Sequence, residues 1–125
     1  MPEKSGAAKL GVKPGFVVVA HNAPDDYGDI LGDLPAAATV TDEPGAAPDL
    51  LHLFSTTLEE LRKNLNERLA DVPDTTVVWL SYPKGGAKRE LNRTIVMDEA
   101  VEVGWKAVYG VSLNDEWSAN RIKRA

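Results

Sequence analysis

Residues 75–84, TTVVWLSYPK, constrain the fold more than any other stretch of the chain. Thr76, Val77, Val78, Trp79 and Leu80 form a short apolar run, continuous instead of alternating, rich in β-branched and aromatic side chains. Such a run reads as a strand buried on both faces, and a strand of that kind needs a layer of other structure on each side of its sheet. Asp71 and Asp74 stand in front of it and Ser81-Tyr82-Pro83-Lys84-Gly85-Gly86 behind it, so the strand is expected to end abruptly at a polar mouth. In open α/β sheets ligands bind outside the carboxyl ends of the strands, which puts Ser81, Tyr82 and Lys84 where a site is expected.

The same texture recurs along the chain. Residues 16–20, FVVVA, follow the Pro14-Gly15 turn as a second continuous strand, and residues 49–54, DLLHLF, form a third that only His52 interrupts. Residues 36–41 make a weaker strand, expected near an edge. After residues 16–20 comes the loop His21-Asn22-Ala23-Pro24-Asp25-Asp26, then a short helix over 27–31 that Asp25 or Asp26 can cap and Gly32 stops. Thr56-x-x-Glu59 or Thr57-x-x-Glu60 matches a capping box. The helix it opens runs to about residue 70, with Leu58, Leu61, Leu65 and Leu69 on one face. A second long helix, over about 90–103, turns Leu91, Ile95, Ala100 and Val103 to the sheet and stops at Gly104. Strands over 105–113 and 117–123 are joined by so short a linker that the last must return antiparallel. Residues 1–9 are expected to fray. Strands alternating with helices, then a terminal hairpin, predict one domain with a three-layer, mostly parallel six-stranded α/β sheet.

Composition narrows the function. The chain has 125 residues, a net charge of −5 and no cysteine. Disulfides, thiolate catalysis and Cys-based zinc sites are excluded. The acidic balance argues against a nucleic-acid or anionic-membrane partner. The basic end Arg121, Lys123 and Arg124 reads as solvated. No apolar run approaches the ~20 residues of a membrane span, and the first residues lack the apolar core of a signal peptide. The expectation is a cytoplasmic protein with neither a nucleic-acid nor a membrane partner.

Residues 48–54 resemble the fourth strand of a class I methyltransferase-type Rossmann fold, and residues 58–72 the helix after it. Residues 77–83 resemble its fifth strand, and 100–111 the final helix entering the sixth. The hairpin then supplies the antiparallel seventh strand, inserted beside the fifth, which implies a strand order of 2-1-3-4-6-5 here. A closer resemblance covers nearly the whole chain. Residues 10–15, Asn22-Ala23-Pro24, residues 79–84 and Trp117-Ser118-Ala119-Asn120-Arg121 are similar to a family of small bacterial proteins classed as a domain of unknown function.

The methyltransferase pattern breaks at the first loop. A cofactor-binding member places a glycine-rich turn after its first strand, so that backbone approaches the ligand and a helix N-terminus faces it. Here the loop carries one late glycine, Gly28, and Pro24 removes a donor. Only about fifteen residues separate the first strand from the second, a minimal crossover. These departures predict a degenerate fold that has lost the standard methyl-donor site.

Candidate ligand-binding residues are His21, Asn22, Asp25, Ser81, Tyr82, Lys84, Trp117 and Arg121. His21 ends the first strand, where a general base or ligand contact would stand, although a structural hydrogen bond is the plainer reading. Residues 81–84 distantly resemble the polar-Pro-aromatic loop of amino-methylating enzymes, with the order changed. The plainer reading is a strand-ending turn with Tyr82 packed on a helix. Lys84, Lys88 and Arg89, with Gly85-Gly86 between them, are placed to receive an anion or simply to face water. His52 reads as a satisfied core histidine. Asp42-Glu43 follows the second strand, where dinucleotide folds hold ribose hydroxyls. Trp117, Ala119 and Arg121 share one face of the last strand, and Ser118, Asn120 and Ile122 the other. No ligand spacing supports a metal, no catalytic residue is identifiable, and the cofactor is unknown. Two functions are carried forward. One is a small α/β domain binding a small-molecule or protein partner, whether in a pocket or through the edge of the second strand or the hairpin. The other is an S-adenosylmethionine-dependent methyltransferase or another nucleotide-using enzyme, with His21, Asn22, Asp25 and Lys84 around the pocket.

Overall fold

A computed structural model describes residues 6–41, 48–69, 72–73, 75–85 and 90–124. In chain order the elements are α1 (Gly6–Leu10), β1 (Val17–His21), α2 (Tyr27–Leu31), β2 (Thr39–Thr41), β3 (Leu50–Phe54), α3 (Leu58–Arg68), β4 (Val77–Pro83), α4 (Arg93–Glu102), β5 (Trp105–Ser112) and β6 (Trp117–Arg124). The six strands form one sheet in the order β2-β1-β3-β4-β6-β5. Strands β2, β1, β3 and β4 pair in parallel, and β6 runs antiparallel to both β4 and β5. The fold class and strand order are those expected from the sequence. The hairpin closes because Asn114 Oδ1 accepts from the amides of Glu116 and Trp117 at 2.9 and 2.8 Å, a side-chain turn that a short polar residue can make.

The continuous apolar runs feed two cores, because successive side chains of a strand point to opposite faces. Val18, Ala20, Leu50, Phe54, Trp79 and Ala119 pack against α1 and α2. Val19, Leu51, Leu53, Val78, Leu80, Tyr82 and Ile122 pack against α3 and α4. All five residues of β3 are buried, as a strand covered on both sides must be.

Each helix buries the stripe its spacing provides. In and after α3, Leu61, Leu65 and Leu69 are buried, with Leu58 partly so. Leu91, Val96 and Ala100 carry the corresponding contact around α4, with Ile95 and Val103 packed at its margin. Thr57 caps α3, its hydroxyl accepting from the Glu60 amide, and Asn92 caps α4 by accepting from the Ile95 amide. Gly32, at φ 70°, ends α2 as expected. Asp26 takes the cap position of α2 but makes no side-chain cap bond.

Three expectations change. Residues 1–5 lie outside the described part, but the rest of the stretch expected to fray forms α1, with Gly6, Ala7 and Leu10 buried. A helix of five residues is too short to hold itself. It is held by its apolar contacts and by the indole of Trp79, whose Nε1–H donates to the Leu10 carbonyl at 2.9 Å. The weak second strand shrinks to Thr39–Thr41 at the sheet edge, with Val40 exposed. Ser81, Tyr82 and Pro83 are not a turn. They extend β4, pairing with Ala119, Ser118 and Trp117 of β6. The partner strand supplies the ladder bonds, the extent is that of the fifth strand implied by the resemblance over residues 77–83, and Pro83 is tolerated where the strand ends.

Candidate functional site

Since β1, β3 and β4 run parallel, their carboxyl ends share one rim. His21, Phe54 and Pro83 are the last strand residues there, and β6 begins beside them at Trp117. The strand order turns between β1 and β3, because the chain builds outward to β2 on one side and to β4 on the other. In doubly wound sheets that point opens a crevice where ligands sit.

On the β1 side of this rim stands His21. Its Nδ1 lies 2.9 Å from Arg68 Nη2. A guanidinium only donates, so Nδ1 accepts and the proton of the neutral ring sits on Nε2. Partial burial and then the Arg68 charge hold the His21 pKa below its ordinary value. The rim therefore presents a neutral imidazole with an Nε2–H donor. His21 ends β1 and makes a structural hydrogen bond, the plainer of its two readings.

Asn22 follows at φ 59°, in the left-handed region that glycine favours and asparagine tolerates. The sharp turn that other chains make with glycine is made here by a residue with a polar side chain. Asn22 and Asp25 are exposed. Within electrostatic reach of His21, the Glu60 carboxylate accepts from the Thr56 amide at 2.8 Å and its hydroxyl at 2.6 Å, and these bonds hold its pKa below the usual carboxylate range. Ser55 is buried, its hydroxyl accepting from Asn64 Nδ2 at 2.9 Å.

Ser81 does not reach the rim. It is buried on the α1–α2 face, its Oγ 2.5 Å from His52 Nε2, while His52 Nδ1 stands 2.8 Å from Tyr27 Oη. A serine beside a histidine resembles a nucleophile with its base. Both are sealed from solvent, however, at 2 % and 0 % exposure, so no substrate meets them. Burial lowers the His52 pKa to about 3 and raises that of Tyr27. The result is a neutral, satisfied polar chain through the core, as expected for His52. Tyr27 had no sequence signal linking it to this chain.

The remaining candidates divide. Tyr82 is buried beneath the start of α4, and burial pushes its hydroxyl pKa up against the pull of the Arg93 charge. Lys84 donates its backbone amide to Glu116 at 2.8 Å and its Nζ to Ser112 Oγ, which ties the end of β4 to the hairpin. Trp117 packs edge-on to Phe54 at 4.9 Å between ring centres, so it serves the core. Arg121 lies away from the rim. It pairs with Trp79 in register, covers the Tyr109 ring at 5.9 Å, and lines a cavity of about 450 Å³ with Thr75, Thr76 and Val77 at the opposite end of β4. Asp42, Glu43, Gly86, Lys88 and Arg89 lie outside the described residues. Among the described residues no group of three or more histidines and carboxylates could hold a metal ion, and no helix is long and apolar enough to cross a membrane.

No family model and no curated protein matches the sequence. Solved structures do match it in shape. A protein of the NADB-Rossmann superfamily from Streptococcus agalactiae superposes with a TM-score of 0.58 at 10 % identity, over 99 % of this chain and 69 % of its own. A TehB-like SAM-dependent methyltransferase from Corynebacterium glutamicum gives 0.52 at 13 % identity, over 98 % and 89 %. DhpI, in complex with SAH, gives 0.60 at 9 % identity, over 95 % and 82 %. At such identities the likeness shows the fold alone: a Rossmann-like sheet of the class I methyltransferase type.

Proposed function

We propose that this chain is a small Rossmann-like domain that binds a ligand at the crevice between β1 and β3 and no longer holds a methyl donor in the standard way. The observation that carries this reading is the segment after β1. Residues 22–38 contain only the five-residue helix α2, whose Tyr27, Ile30 and Leu31 are spent on the core. A methyl donor in this fold needs backbone N–H groups brought close at a glycine-rich turn. Asn22 interposes a side chain at that turn, Pro24 has no N–H, and the exposed Asp25 carboxylate follows. These residues do not fit the standard donor site. What the crevice does offer is the neutral imidazole of His21 and the amide of Asn22, polar groups that orient a ligand by hydrogen bonds without charge.

The other reading, an S-adenosylmethionine-dependent methyltransferase, is supported by the fold shared with the methyltransferases above. Calorimetric titration of the full chain with S-adenosylmethionine and S-adenosylhomocysteine separates the two. No heat and no rise in melting temperature at millimolar ligand agrees with the first reading. Micromolar binding that is lost in His21→Ala and Asn22→Ala overturns it in favour of the second.

A further inference from the structure

The basic end that reads as solvated in the sequence lines a cavity in the fold. The β4–β6 ladder begins at Val78 opposite Ile122, but β6 runs on to Arg124, so beyond that point the two strands no longer pair. A cavity of about 450 Å³ opens there, with Thr75, Thr76, Val77, Arg121, Lys123 and Arg124 in its walls. That volume falls within the roughly 300–1,000 Å³ of small-molecule sites. The walls are held in place. The Thr76 hydroxyl donates to the Pro48 carbonyl at 2.6 Å. Arg124 donates to the Val72 carbonyl at 2.5 Å, and its guanidinium covers the Trp105 ring at 4.9 Å.

The charge at this place has one sign. Arg121 and Lys123 alternate along β6, so both stand on the sheet face of Trp79, which pairs with Arg121. Lys106 of β5 lies directly opposite Lys123. Like charges directly opposed across two strands destabilise a sheet. Nothing offsets them here: among the described residues no carboxylate pairs with Lys106, Arg121 or Lys123, and none lines the cavity. Arg121 is positioned by Tyr109, with Nη1 3.5 Å from its hydroxyl and the guanidinium 5.9 Å from its ring centre. Neither group carries a neutralising charge. Tyr109 is itself 45 % exposed, so this part of the face is open to solvent. The chain as a whole carries −5, and the cluster is therefore not a by-product of a basic composition.

We infer that this cavity binds a diphosphate, free or as part of a nucleotide, through Arg121 and Lys123, with Lys106 at its margin. Arg121 and Lys123 are two strand positions apart, about 7 Å between Cα atoms, and Lys106 is about 5 Å from Lys123 across the ladder. Linked phosphoryl groups bring several negative charges into that span, more than one carboxylate supplies. Arginine meets phosphoryl oxygens with its planar fork of donors and lysine meets them as a point charge. The cavity lies at the amino end of β4, away from the crevice at β1. The inference uses neither His21 nor Asn22 and stands apart from the function proposed above.

The test titrates the full 15N-labelled chain with sodium pyrophosphate, ADP or citrate, each against sodium chloride at equal ionic strength, and follows backbone amide shifts and melting temperature. Pyrophosphate is expected to give saturable shifts at Thr75, Thr76 and Lys123, none at His21 and Asn22, and a higher melting temperature. Tighter binding of ADP than of pyrophosphate identifies a nucleotide site, and equal or weaker binding a site for the free diphosphate. Lys123→Met, at an exposed position, is expected to weaken binding at least tenfold. Without ligand the same variant should melt at the parent temperature or above it, because the like-charge pair with Lys106 is gone. A citrate response as strong as that to pyrophosphate, shifts that grow linearly or match those in chloride, parent affinity in Lys123→Met, or a lower melting temperature of that variant without ligand overturns the inference.

Discussion

His52 Nε2 stands 2.5 Å from Ser81 Oγ, across the β3–β4 pair and wholly inside the protein. Tyr27 Oη holds the other ring nitrogen at 2.8 Å. A protonated ring could still donate to both oxygens, but it would be a buried charge with the desolvation cost that holds the imidazole neutral.

Acid should therefore unfold the protein through His52. Its pKa falls from 6.5 to about 3 on folding, so the unfolded chain binds the extra proton between those values. Stability is expected to be full above pH 6.5 and to fall as the pH drops towards 3, by up to about 1.4 kcal/mol per unit. Urea midpoints at pH 7.5, 6, 5 and 4 measure it. His52→Gln should flatten the slope over that window, and an equally steep slope in the variant would falsify the assignment.

Trp79→Phe removes the donor to the Leu10 carbonyl and part of a fully buried ring. A loss of about 2–3 kcal/mol is expected, from the cavity and the orphaned carbonyl together. Amide exchange over residues 6–10 should quicken more than anywhere in β3. Uniform quickening would mean that the indole does not tether α1.

Two glycines should respond in opposite directions to alanine. A Cβ on Gly6 would lie 2.1 Å from the Ile30 carbonyl oxygen, a backbone atom that cannot swing aside. Gly6→Ala should cost about 1–3 kcal/mol by forcing α1 off α2. Gly28, inside α2, has open space around it. Gly28→Ala should stabilise by about 0.4–1 kcal/mol through reduced freedom of the unfolded chain. Thermal midpoints of the pair settle both.

Arg68→Met takes away the guanidinium that donates to His21 Nδ1. The His21 pKa, held down by burial and by that charge, should rise towards the ordinary value. Ring-nitrogen chemical shifts against pH would report the change and the tautomer. A pKa that stays put would show that Arg68 does not set the state of the imidazole at the rim.

The sequence by itself determined the layers. Continuous apolar runs such as residues 76–80 need cover on both faces, leucines at helical spacing in α3 need a sheet beneath them, and a linker as short as Asn114-Asp115-Glu116 allows only an antiparallel return. These are local or near-local constraints, so they could be read from the chain in order. Tertiary structure decided what each polar residue meets. Ser81 looked like part of a rim, yet β6 extends β4 past it and the pleat turns its hydroxyl inward to His52. Arg121 shares a face with Trp117 but lies in the middle of the strand, opposite Trp79 and away from the rim. Tyr27 joins a buried chain because α2 lies over β3, and Asn120 keeps its place because its cross-strand neighbour is Gly110. Each of these outcomes depends on register between strands distant in sequence, and a pattern within one segment carries no record of its partner.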